Sequence, residues 1–404
     1  MAATVSAPPG PRVLAVLRRR SYRSFRPDPL PAETVRALRD VVASAPSVEG
    51  RRSGRVLVVD EPDAVRRMPR AVTAGLVGKI NPWLLRSNPP VFLIVTGDSR
   101  SGLRDGDRHW YNVDGAVAGQ LAVLEATGRG VGSCWVAGFH ERSVAEAAGL
   151  GEGERPLAVI PVGHPAVGPD SGGSWLGRGW DAAAQRVLSG RRKPLERIAH
   201  RGRFGVPFVA GRVPWAARGV QGDEHAVWPG LGPLRPAGGF TGEPVDESRL
   251  AALLECARWA PSAENSQIAR HVVVEGRTAT AALLAAAFPD AAFEGDTLPP
   301  LVVVGLAAPF PIRARTREQP FFLIDVPIAV TNLLVAAGEL GLGWQAAFRF
   351  EHRAVAAHLG VPDDHRVVAL AALGFAAEPP APGPRSPLDQ LRPPEQAGGA
   401  ARSS

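Results

Sequence analysis

The chain of 404 residues is 45% hydrophobic and 21% charged, so it can bury ordinary cores and does not have the composition of a disordered chain. Its length corresponds to two or three domains at about 100–200 residues each. Only two cysteines, Cys134 and Cys256, are present, which excludes a disulfide scaffold and a thiolate metal cage. No apolar run reaches the ~18 residues of a membrane span, and the start of the chain lacks an apolar signal core, so we expect a cytoplasmic protein without a membrane partner.

The charge is strongly basic but is not arranged as a polyanion-binding surface. Lys and Arg together number 46 against 39 Asp and Glu, which gives a net charge of +7, and all of the basic residues except Lys79 and Lys193 are arginine. The arginines are scattered, without a long basic tract interleaved with aromatic residues. We therefore expect a small-molecule substrate and no nucleic-acid partner.

The predicted elements occur twice in the same order along the chain. In the first half, the apolar periodicity predicts a helix over 32–44, strands over 55–60 and 90–97, a long helix over 113–127 and a strand over 157–163. In the second half, it predicts a helix over 246–259, strands over 271–276 and 300–306, a long helix over 326–340 and a strand over 367–374. The strands are continuously apolar, which is typical of a sheet covered on both faces.

Landmarks within these elements repeat at a nearly constant offset of roughly 211 to 215 residues, which indicates two copies of one domain. The turn Ala45-Pro46-Ser47 matches Ala260-Pro261-Ser262, and Asp114, which opens one long helix, matches Asp325. We interpret the repeat as two homologous domains in one chain.

The repeat sets the predicted domain boundaries. The first copy is expected over 12–200 and the second over 240–391. Between them, the Gly-, Pro- and Trp-rich stretch 201–239 has no clear period and is predicted to be a linker or an extended arm. Residues 392–404 are expected to form a mobile tail.

Two groups of basic residues in the first copy are candidates for binding a phosphate. Residues 18–25, RRRSYRSF, combine arginines with hydroxyls, which form charge-assisted hydrogen bonds around a phosphate. A second group, RRK at 191–193, lies near the end of the same copy. Each group alone is also typical of a solvated surface, so the residues by themselves leave both interpretations open.

Two further segments have the composition of a ligand-binding loop. Residues 259–267, WAPSAENSQ, follow a helix in the second copy and offer hydroxyls and amides that suit the edge of a planar heterocycle. An ordinary capped turn would explain the Pro and Ser of this segment but not the Asn and Gln together. Residues 130–139, GVGSCWVAGF, form a glycine-rich loop after a helix, and such a loop allows the backbone to approach a ligand closely.

Taken in order, these motifs resemble the FMN-dependent nitroreductase family. The resemblance covers roughly 14–198 and 240–391 and depends on four segments: the Arg-Arg-Ser-x-Arg-x-Phe opening, the Ala-Pro-Ser-x-x-Asn-x-Gln turn, the Gly-x-Gly-Ser-Cys-Trp loop and the Arg-Lys-Pro-Leu-Glu tail. It implies an α+β fold, with a three-layer α/β/α sandwich in each copy, and FMN as the cofactor. Two subunits of that family form an intertwined dimer with FMN in the interface, so the resemblance implies a pseudo-dimer within this one chain.

The resemblance also divides the cofactor-binding residues between the copies. The first copy keeps the arginines and the loop, but its turn at 46–52 reads PSVEGRR, without the Asn and Gln. The second copy keeps the turn, but its start at 238–241 reads GGFT, without arginines. One intact composite FMN site is therefore expected, with Lys79 as a further candidate beside the flavin. The predicted cofactor-binding residues are Arg19, Arg20, Ser21, Arg23, Ala137, Gly138, Arg191, Lys193, Pro261, Ser262, Asn265 and Gln267.

The implied activity is that of an oxidoreductase in which the flavin carries out the chemistry. Hydride would enter and leave at flavin N5, so we predict no catalytic residue and no metal. Two directions stay open: NAD(P)H-dependent reduction of a nitro- or quinone-type acceptor, and dehydrogenation of a biosynthetic intermediate. The alternative is a flavin-binding protein with little turnover, in which the arm at 201–239 would act as a lid.

Overall fold

The chain divides into two compact units, each with its own sheet. The computed structural model describes residues 9–50, 53–78, 80–100, 104–105, 108–166, 174–189, 192–209, 230–231, 236–291, 298–309 and 321–378. Among these residues, the first unit comprises those within 19–189 together with 230–231. The second unit comprises those within 9–18, 192–209 and 236–378.

Eleven α-helices and eleven β-strands lie within the described residues. The helices are α1 (Pro11–Arg18), α2 (Ala32–Ala43), α3 (Pro62–Val72), α4 (Gly75–Gly78), α5 (Tyr111–Gly128), α6 (Glu141–Ala147), α7 (Trp175–Ala184), α8 (Glu247–Arg258), α9 (Arg277–Ala287), α10 (Phe322–Glu339) and α11 (His352–Leu359). The strands are β1 (Gly54–Val59), β2 (Val91–Asp98), β3 (Arg104–Asp105), β4 (Arg108–His109), β5 (Gly132–Ser133), β6 (Glu154–Gly163), β7 (Ala199–Arg201), β8 (Ala269–Glu275), β9 (Leu301–Ala307), β10 (Gly343–Ala347) and β11 (Arg366–Gly374).

The first unit is built on a four-stranded antiparallel sheet with helices on both faces. The strand order is β1-β2-β6-β5, and β3 and β4 form a separate short hairpin. Successive strand residues point to opposite faces. On one face, Leu57 and Ile94 belong to a buried cluster with residues of α3 and α6. On the other face, Val95 lies against Gly115 and Gly119 of α5.

The second unit repeats this arrangement around a five-stranded sheet. The strand order is β10-β11-β9-β8-β7, with every pair antiparallel except β7 and β8, which are parallel. On one face, Val272 and Val304 pack in a cluster with residues of α9 and α11. On the other face, Gly305 lies against Val326 and Val330 of α10.

The long helices α5 and α10 are the central helices of their units. Nearly all residues of both helices are buried. A helix covered on all sides needs apolar residues around its whole circumference, which explains their composition. Within the described residues, α10 is the one helix long and apolar enough to cross a membrane, but 83% of its apolar window is buried inside the protein. Its composition is therefore explained by packing in the core.

Two short segments of the first copy pack in the second unit. The N-terminus of α1 is capped by Glu339, whose Oε2 accepts from the backbone N–H of Arg12 at 2.5 Å and of Val13 at 3.2 Å. Strand β7 extends the sheet beside β8, with Ala199 opposite His271. The compact units therefore differ from the copies at 12–200 and 240–391 in these two places.

The predicted helices and strands are confirmed, with ends that differ from the predictions by a few residues. The α+β class and the α/β/α layering of each copy are confirmed as well. Of the stretch 201–239, residues 201–209, 230–231 and 236–239 are described, and the tail at 392–404 lies outside the described residues.

Candidate functional site

Arg19 lies just after α1 in the first unit and is buried, with 5% of its surface exposed. Burial lowers the pKa of its guanidinium to about 10, while Cys134 and Tyr22 act in the opposite direction. Its Nε has no hydrogen-bond partner among the described residues. Because a buried cation with an unused donor costs free energy until an anion pairs with it, Arg19 is suited to anion binding.

The segment after Arg19 is held along strand β5. The backbone N–H of Tyr22 donates to the carbonyl of Ser133 at 2.9 Å, and Ser21 and Ser133 form a parallel β-bridge. The carbonyl of Ser21 also accepts from Nε2 of Gln185 at 2.6 Å. These backbone contacts fix the direction of the segment and leave its side chains to make other contacts.

Arg23 has an acidic partner, whereas Arg20 is exposed to solvent. The guanidinium of Arg23 lies 3.8 Å from the carboxylate of Asp181, which also accepts the backbone N–H of Arg23 at 3.0 Å. Burial raises the pKa of Asp181, and its bonds to Arg23 act against this rise. The guanidinium also lies 6.0 Å from the centre of the Trp83 ring. Asp181 and Trp83 therefore orient Arg23.

The loop after β5 brings Gly138 close to Ile80. A Cβ placed on Gly138 would lie 2.3 Å from Cδ1 of Ile80, so a side chain here would displace the exposed Ile80 side chain. The carbonyl of Gly138 accepts from Nδ2 of Asn81 at 2.7 Å, and Oδ1 of Asn81 accepts from Trp83 at 3.1 Å. Ala137 and Gly138 are both partly exposed, so the backbone of this loop is accessible.

The turn at 261–267 in the second unit has an unusual backbone. Glu264, Asn265 and Gln267 have φ angles of 49°, 54° and 49°, in the left-handed region that favours glycine. Among the described non-glycine residues, only Asn88 shares this property. Such a conformation costs roughly 1–3 kcal/mol per residue and persists only where surrounding contacts enforce it.

Arg192 provides contacts at the start of this turn. Its guanidinium donates to the carbonyls of Arg258, Trp259 and Ala260 at distances between 2.8 and 3.2 Å. These are the last carbonyls of α8 and the residues after it, which have no partners within the helix itself. The guanidinium also stacks over the Trp259 ring at 5.3 Å. Arg192 therefore caps the end of α8 and fixes the entry to the turn.

Lys193 holds the other end of the turn. Its Nζ donates to the carbonyls of Ser266 at 2.8 Å and Gln267 at 3.0 Å, and its backbone N–H donates to Oε1 of Gln267 at 2.8 Å. Burial lowers the pKa of Lys193, and the charges of Arg270 and Arg197 act in the same direction. Lys193, which the sequence predicts to bind the cofactor, thus contacts the turn in this structure.

Further contacts fix the middle of the turn. Oγ of Ser262 accepts from the backbone N–H of Gln267 at 2.9 Å, and the Asp325 carboxylate accepts from the N–H of Ala263 at 3.2 and 3.4 Å. Oγ of Ser266 is buried and has no hydrogen-bond partner among the described residues. The turn is therefore firmly held and retains a hydroxyl suited to a ligand.

Equivalent backbone contacts show how the two copies differ at the arginine cluster, the segment 18–25 of the first copy. Tyr22 donates to Ser133 in the first unit, and Ala237 donates to Trp344 at 2.8 Å in the second. Counting from these pairs, the second copy has other residue types at three predicted positions. Pro236, Gly238 and Arg349 stand where the first copy has Ser21, Arg23 and Gly138.

At the turns 46–52 and 261–267, it is the second copy that keeps the amide residues and the first that lacks them. At the position of Asn265, the first copy has Gly50, whose φ of 70° is also left-handed. Glycine adopts this conformation without strain, so the second copy keeps an amide side chain where glycine would cost less. The second copy therefore carries an amide side chain at a position where the first copy has none.

The predicted residues divide between the units, apart from Arg191 and the further candidate Lys79, which lie outside the described residues. The first unit holds Arg19, Arg20, Ser21, Arg23, Ala137 and Gly138. The second holds Lys193, Pro261, Ser262, Asn265 and Gln267.

Several residues that support these features are not among the residues predicted from the sequence. Arg192 and Ser266 lie between predicted residues, and their positions within the motifs could have indicated them. No sequence pattern indicated Asp181 or Asn81, because each forms its hydrogen bond with a residue that is distant in the chain.

Comparison with known proteins places these features in a family. The sequence profile of the nitroreductase family matches residues 16–164 and 239–375, one match in each copy. The chain belongs to the nitroreductase family. As a two-copy member of that family, it is an oxidoreductase.

Individual relatives each match less than half of this chain. The chain is 26% identical over 159 residues to a protein of Methanothermobacter thermautotrophicus described as an NADH dehydrogenase/NAD(P)H nitroreductase, covering 38% of this chain and 78% of that protein. A nitroreductase family protein from Clostridium novyi NT is 25% identical, with 40% and 86% of the two chains covered and a TM-score of 0.34. One from Clostridium difficile 630 is 20% identical, with 46% and 94% covered and a TM-score of 0.36.

Proposed function

We propose that this family member is an FMN-dependent oxidoreductase that takes hydride from NAD(P)H and passes it to a nitro- or quinone-type small molecule. The observation that carries the proposal is the complementary retention of binding features by the two copies. The first copy keeps a buried arginine with an unused donor, and the second keeps a strained, firmly held turn. In the other copy, Leu234 stands at the position of Arg19, and Gly50 and Arg52 stand at the positions of Asn265 and Gln267.

The arginine cluster fits a phosphate monoester. Arg19 offers a buried Nε donor without a partner among the described residues, and Ser21 and Arg23 follow on the same segment. Charge-assisted hydrogen bonds of this kind each contribute about 1.5–3 kcal/mol. The phosphate is the strongly charged group of FMN, so these residues would hold that end of the cofactor.

The 261–267 turn fits the polar edge of an isoalloxazine ring. That edge alternates carbonyl and N–H groups, and the amides of Asn265 and Gln267 carry both donors and acceptors. The buried hydroxyl of Ser266, which has no partner among the described residues, adds one more group of either kind. Rigid support from Arg192 and Lys193 means that little conformational freedom is lost when a ligand binds.

Bound FMN supplies the hydride chemistry, and the protein binds and orients it. Arg19 and Arg23 neutralise the phosphate charge, and Asn265 and Gln267 set the orientation of the ring. The small residues Ala137 and Gly138 leave their backbone accessible for a close approach. We place the activity in the cytoplasm, because both cysteines are free thiols.

The direction of the reaction is proposed from a relative. The Methanothermobacter protein is described by both NADH dehydrogenase and NAD(P)H nitroreductase activities, which supports a nicotinamide reductant here. Dehydrogenation of a biosynthetic intermediate is the alternative direction. The two directions differ in whether NAD(P)H alone reduces the flavin.

Anaerobic mixing of the FMN-loaded protein with NADH or NADPH tests this proposal. We expect the flavin absorbance near ~450 nm to bleach and to return when a nitro or quinone acceptor is added. The oxidised nucleotides NAD⁺ and NADP⁺ serve as controls and should leave the spectrum unchanged. A yellow protein that neither reduced nucleotide bleaches would contradict the proposed direction.

A further inference from the structure

A small cavity with a mixed polar and apolar lining borders the 261–267 turn in the second unit. About 20 Å³ of it is open to the centre of a water molecule. A water molecule needs roughly 10–15 Å³ by this measure and two to four polar partners. The cavity therefore has room for a single water molecule. Its polar lining comes from Arg258, Ser262, Gln267, His271 and Asp325.

His271 is a fully buried residue of this lining. It lies on β8 with 0% of its surface exposed, and neither ring nitrogen has a hydrogen-bond partner among the described residues. A buried imidazole in that state costs free energy, because both nitrogens lose their hydrogen bonds to water. In the first copy, Val56 follows Pro46 at the same spacing as His271 follows Pro261. Val56 is also buried but has no polar atom to satisfy.

The carboxylate of Asp325, at the start of α10, accepts fewer hydrogen bonds than its oxygens allow. Its carboxylate accepts only from the backbone N–H of Ala263 among the described residues, at 3.2 and 3.4 Å. Asp114, its counterpart in the first copy, accepts from Val48 N–H at 2.7 Å and from both the N–H and the hydroxyl of Ser53 at 2.8 Å. The same side chain is thus well satisfied in one copy and poorly satisfied in the other.

We propose that His271 and Asp325 bind one water molecule in this cavity and hold a single proton between them, which fixes the Ala263 end of the turn. The water bridges a ring nitrogen of His271 and a carboxyl oxygen of Asp325. The other carboxyl oxygen remains available to the N–H of Ala263. The first copy has neither the imidazole nor the spare acceptor, so the site belongs to the copy that keeps the complete turn.

Burial determines where the proton resides. It raises the pKa of Asp325 to about 7, with the hydrogen bond from Ala263 acting in the opposite direction. It lowers the pKa of His271 to about 3, and the charges of Arg270 and His200 add to this effect. Between about pH 4 and pH 6.5 the folded pair therefore holds its proton on Asp325, whereas the unfolded chain holds it on His271.

Charged and titratable groups around the pair come from three neighbouring elements. Arg258 at the end of α8 lines the cavity, His200 lies on β7, and Arg270 lies on β8. Strand β9 presents the apolar sequence LVVVGLA, and α10 contributes Asp325 itself. Arg258 is paired with the buried Glu255 of α8, so its charge is largely balanced. The charge of Arg270 disfavours a charged imidazole and supports a neutral His271.

Unfolding then moves the proton from the carboxyl group to the imidazole without net uptake or release by the pair. Each single variant should remove this compensation. In His271→Val, which copies the residue of the first copy, unfolding releases one proton from Asp325. In Asp325→Asn, unfolding takes up one proton at His271. The two variants should therefore respond to pH in opposite directions.

Urea unfolding of the full chain without cofactor, measured from about pH 4.5 to pH 6, tests this expectation. Relative to wild type, the unfolding equilibrium constant of His271→Val should rise about tenfold per pH unit, and that of Asp325→Asn should fall about tenfold per pH unit. The double variant should cost less than the two single variants together, because either change alone removes the bridging water.

A matched control uses Val272, which is buried next to His271 on β8 but packs in the cluster on the opposite face of the sheet and does not line the cavity. The effects of Val272→Ala and Asp325→Asn should add. A high-resolution crystal structure gives an independent test and should show a water molecule within hydrogen-bond distance of His271 and Asp325.

Three results would overturn the proposal: unchanged pH slopes in both single variants, additive effects in the His271 and Asp325 double variant, or a dry cavity in the crystal. Any consequence of the pair for flavin binding rests on the proposed function. Because unfolding is measured without FMN, its outcome is independent of whether FMN binds. Failure of the water site and failure of the proposed function can therefore be told apart.

Discussion

Arg19 keeps a positive charge in a place that burial makes unfavourable. Its pKa of about 10 means that the guanidinium is still protonated at pH 7. The cost of holding this cation falls when an anion arrives, because the Nε donor has no partner among the described residues. We therefore expect Arg19 to make a large contribution to cofactor affinity while reducing the stability of the cofactor-free protein.

Replacing Arg19 with Ala tests both effects. FMN affinity should fall about ten- to a hundredfold, the equivalent of one charge-assisted hydrogen bond. The cofactor-free protein should unfold at a higher urea concentration, because a poorly solvated charge has been removed. Flavin fluorescence quenching and urea titration measure the two quantities. Arg26→Ala is the control, since Arg26 pairs with Asp28 at the surface; equal FMN affinities in the two variants would contradict the role of Arg19.

Asn265 also combines a functional group with a structural cost. In Asn265→Gly the left-handed backbone is kept without strain, but the amide is lost. We expect unchanged or slightly higher stability together with FMN binding weakened roughly tenfold, for the loss of about one hydrogen bond. Asn88→Gly relieves the same backbone conformation outside the turn and should change stability only. Tight FMN binding by Asn265→Gly would show that the amide has no part in it.

The residue types in the motifs indicated which side chains suit cofactor binding. They did not indicate which other side chains hold those residues in place. Arginine, serine and asparagine are recognisable in a motif because their chemistry suits phosphate and flavin. Asp181 lies 158 positions from Arg23 in the chain, so no local pattern connects the two. His271 lies at the start of the predicted apolar strand 271–276, and the absence of a hydrogen-bond partner for its ring among the described residues is visible only in three dimensions.

At the level of helices and strands, apolar periodicity was sufficient to predict most of the fold. Strands such as β2 and β9 are buried on both faces, and helices such as α5 and α10 are buried all round, so their composition is distinctive. The placement of α1 and β7 was not predictable in this way. It depends on a cap from Glu339 and on pairing with β8, which are long-range contacts.

Arg192 shows how one such segment supports the turn. Arg192→Ala should leave the carbonyls of Arg258, Trp259 and Ala260 without their cap, because a methyl group cannot donate. Hydrogen–deuterium exchange should become faster for a peptide spanning 257–268, and FMN affinity should fall. The control is Arg197→Ala, on the same segment but exposed. Unchanged exchange in Arg192→Ala would rule out the capping role.

For the molecule as a whole, the two copies have diverged in opposite ways. The second copy has Pro236 and Gly238 where the first has Ser21 and Arg23, and the first has Gly50 where the second has Asn265. If each copy has lost different features after duplication of a domain, one complete set remains. We therefore predict that both copies are needed to bind one cofactor.

This divergence predicts one FMN per chain. The cofactor can be released by heat and its absorbance compared with the protein concentration, and a ratio close to one is expected. Arg19→Ala and Asn265→Gly should each lower occupancy at limiting FMN, since they affect the same molecule of cofactor. A ratio of two, or loss of only half the flavin in either variant, would contradict a single complete set of residues.

The pairing of β7 with β8 determines where the chain can be divided into fragments that stay soluble. A fragment that starts after residue 209 would lack Ala199–Arg201, and the edge of β8 would be left with unpaired backbone groups. Such an edge invites pairing with other chains, so this fragment should aggregate when produced alone. Co-expression with the preceding fragment, which carries both β7 and α1, should restore its solubility. The shortest piece that keeps β7 paired with β8 therefore begins at Arg192, and even this piece lacks α1, whose N-terminus Glu339 caps.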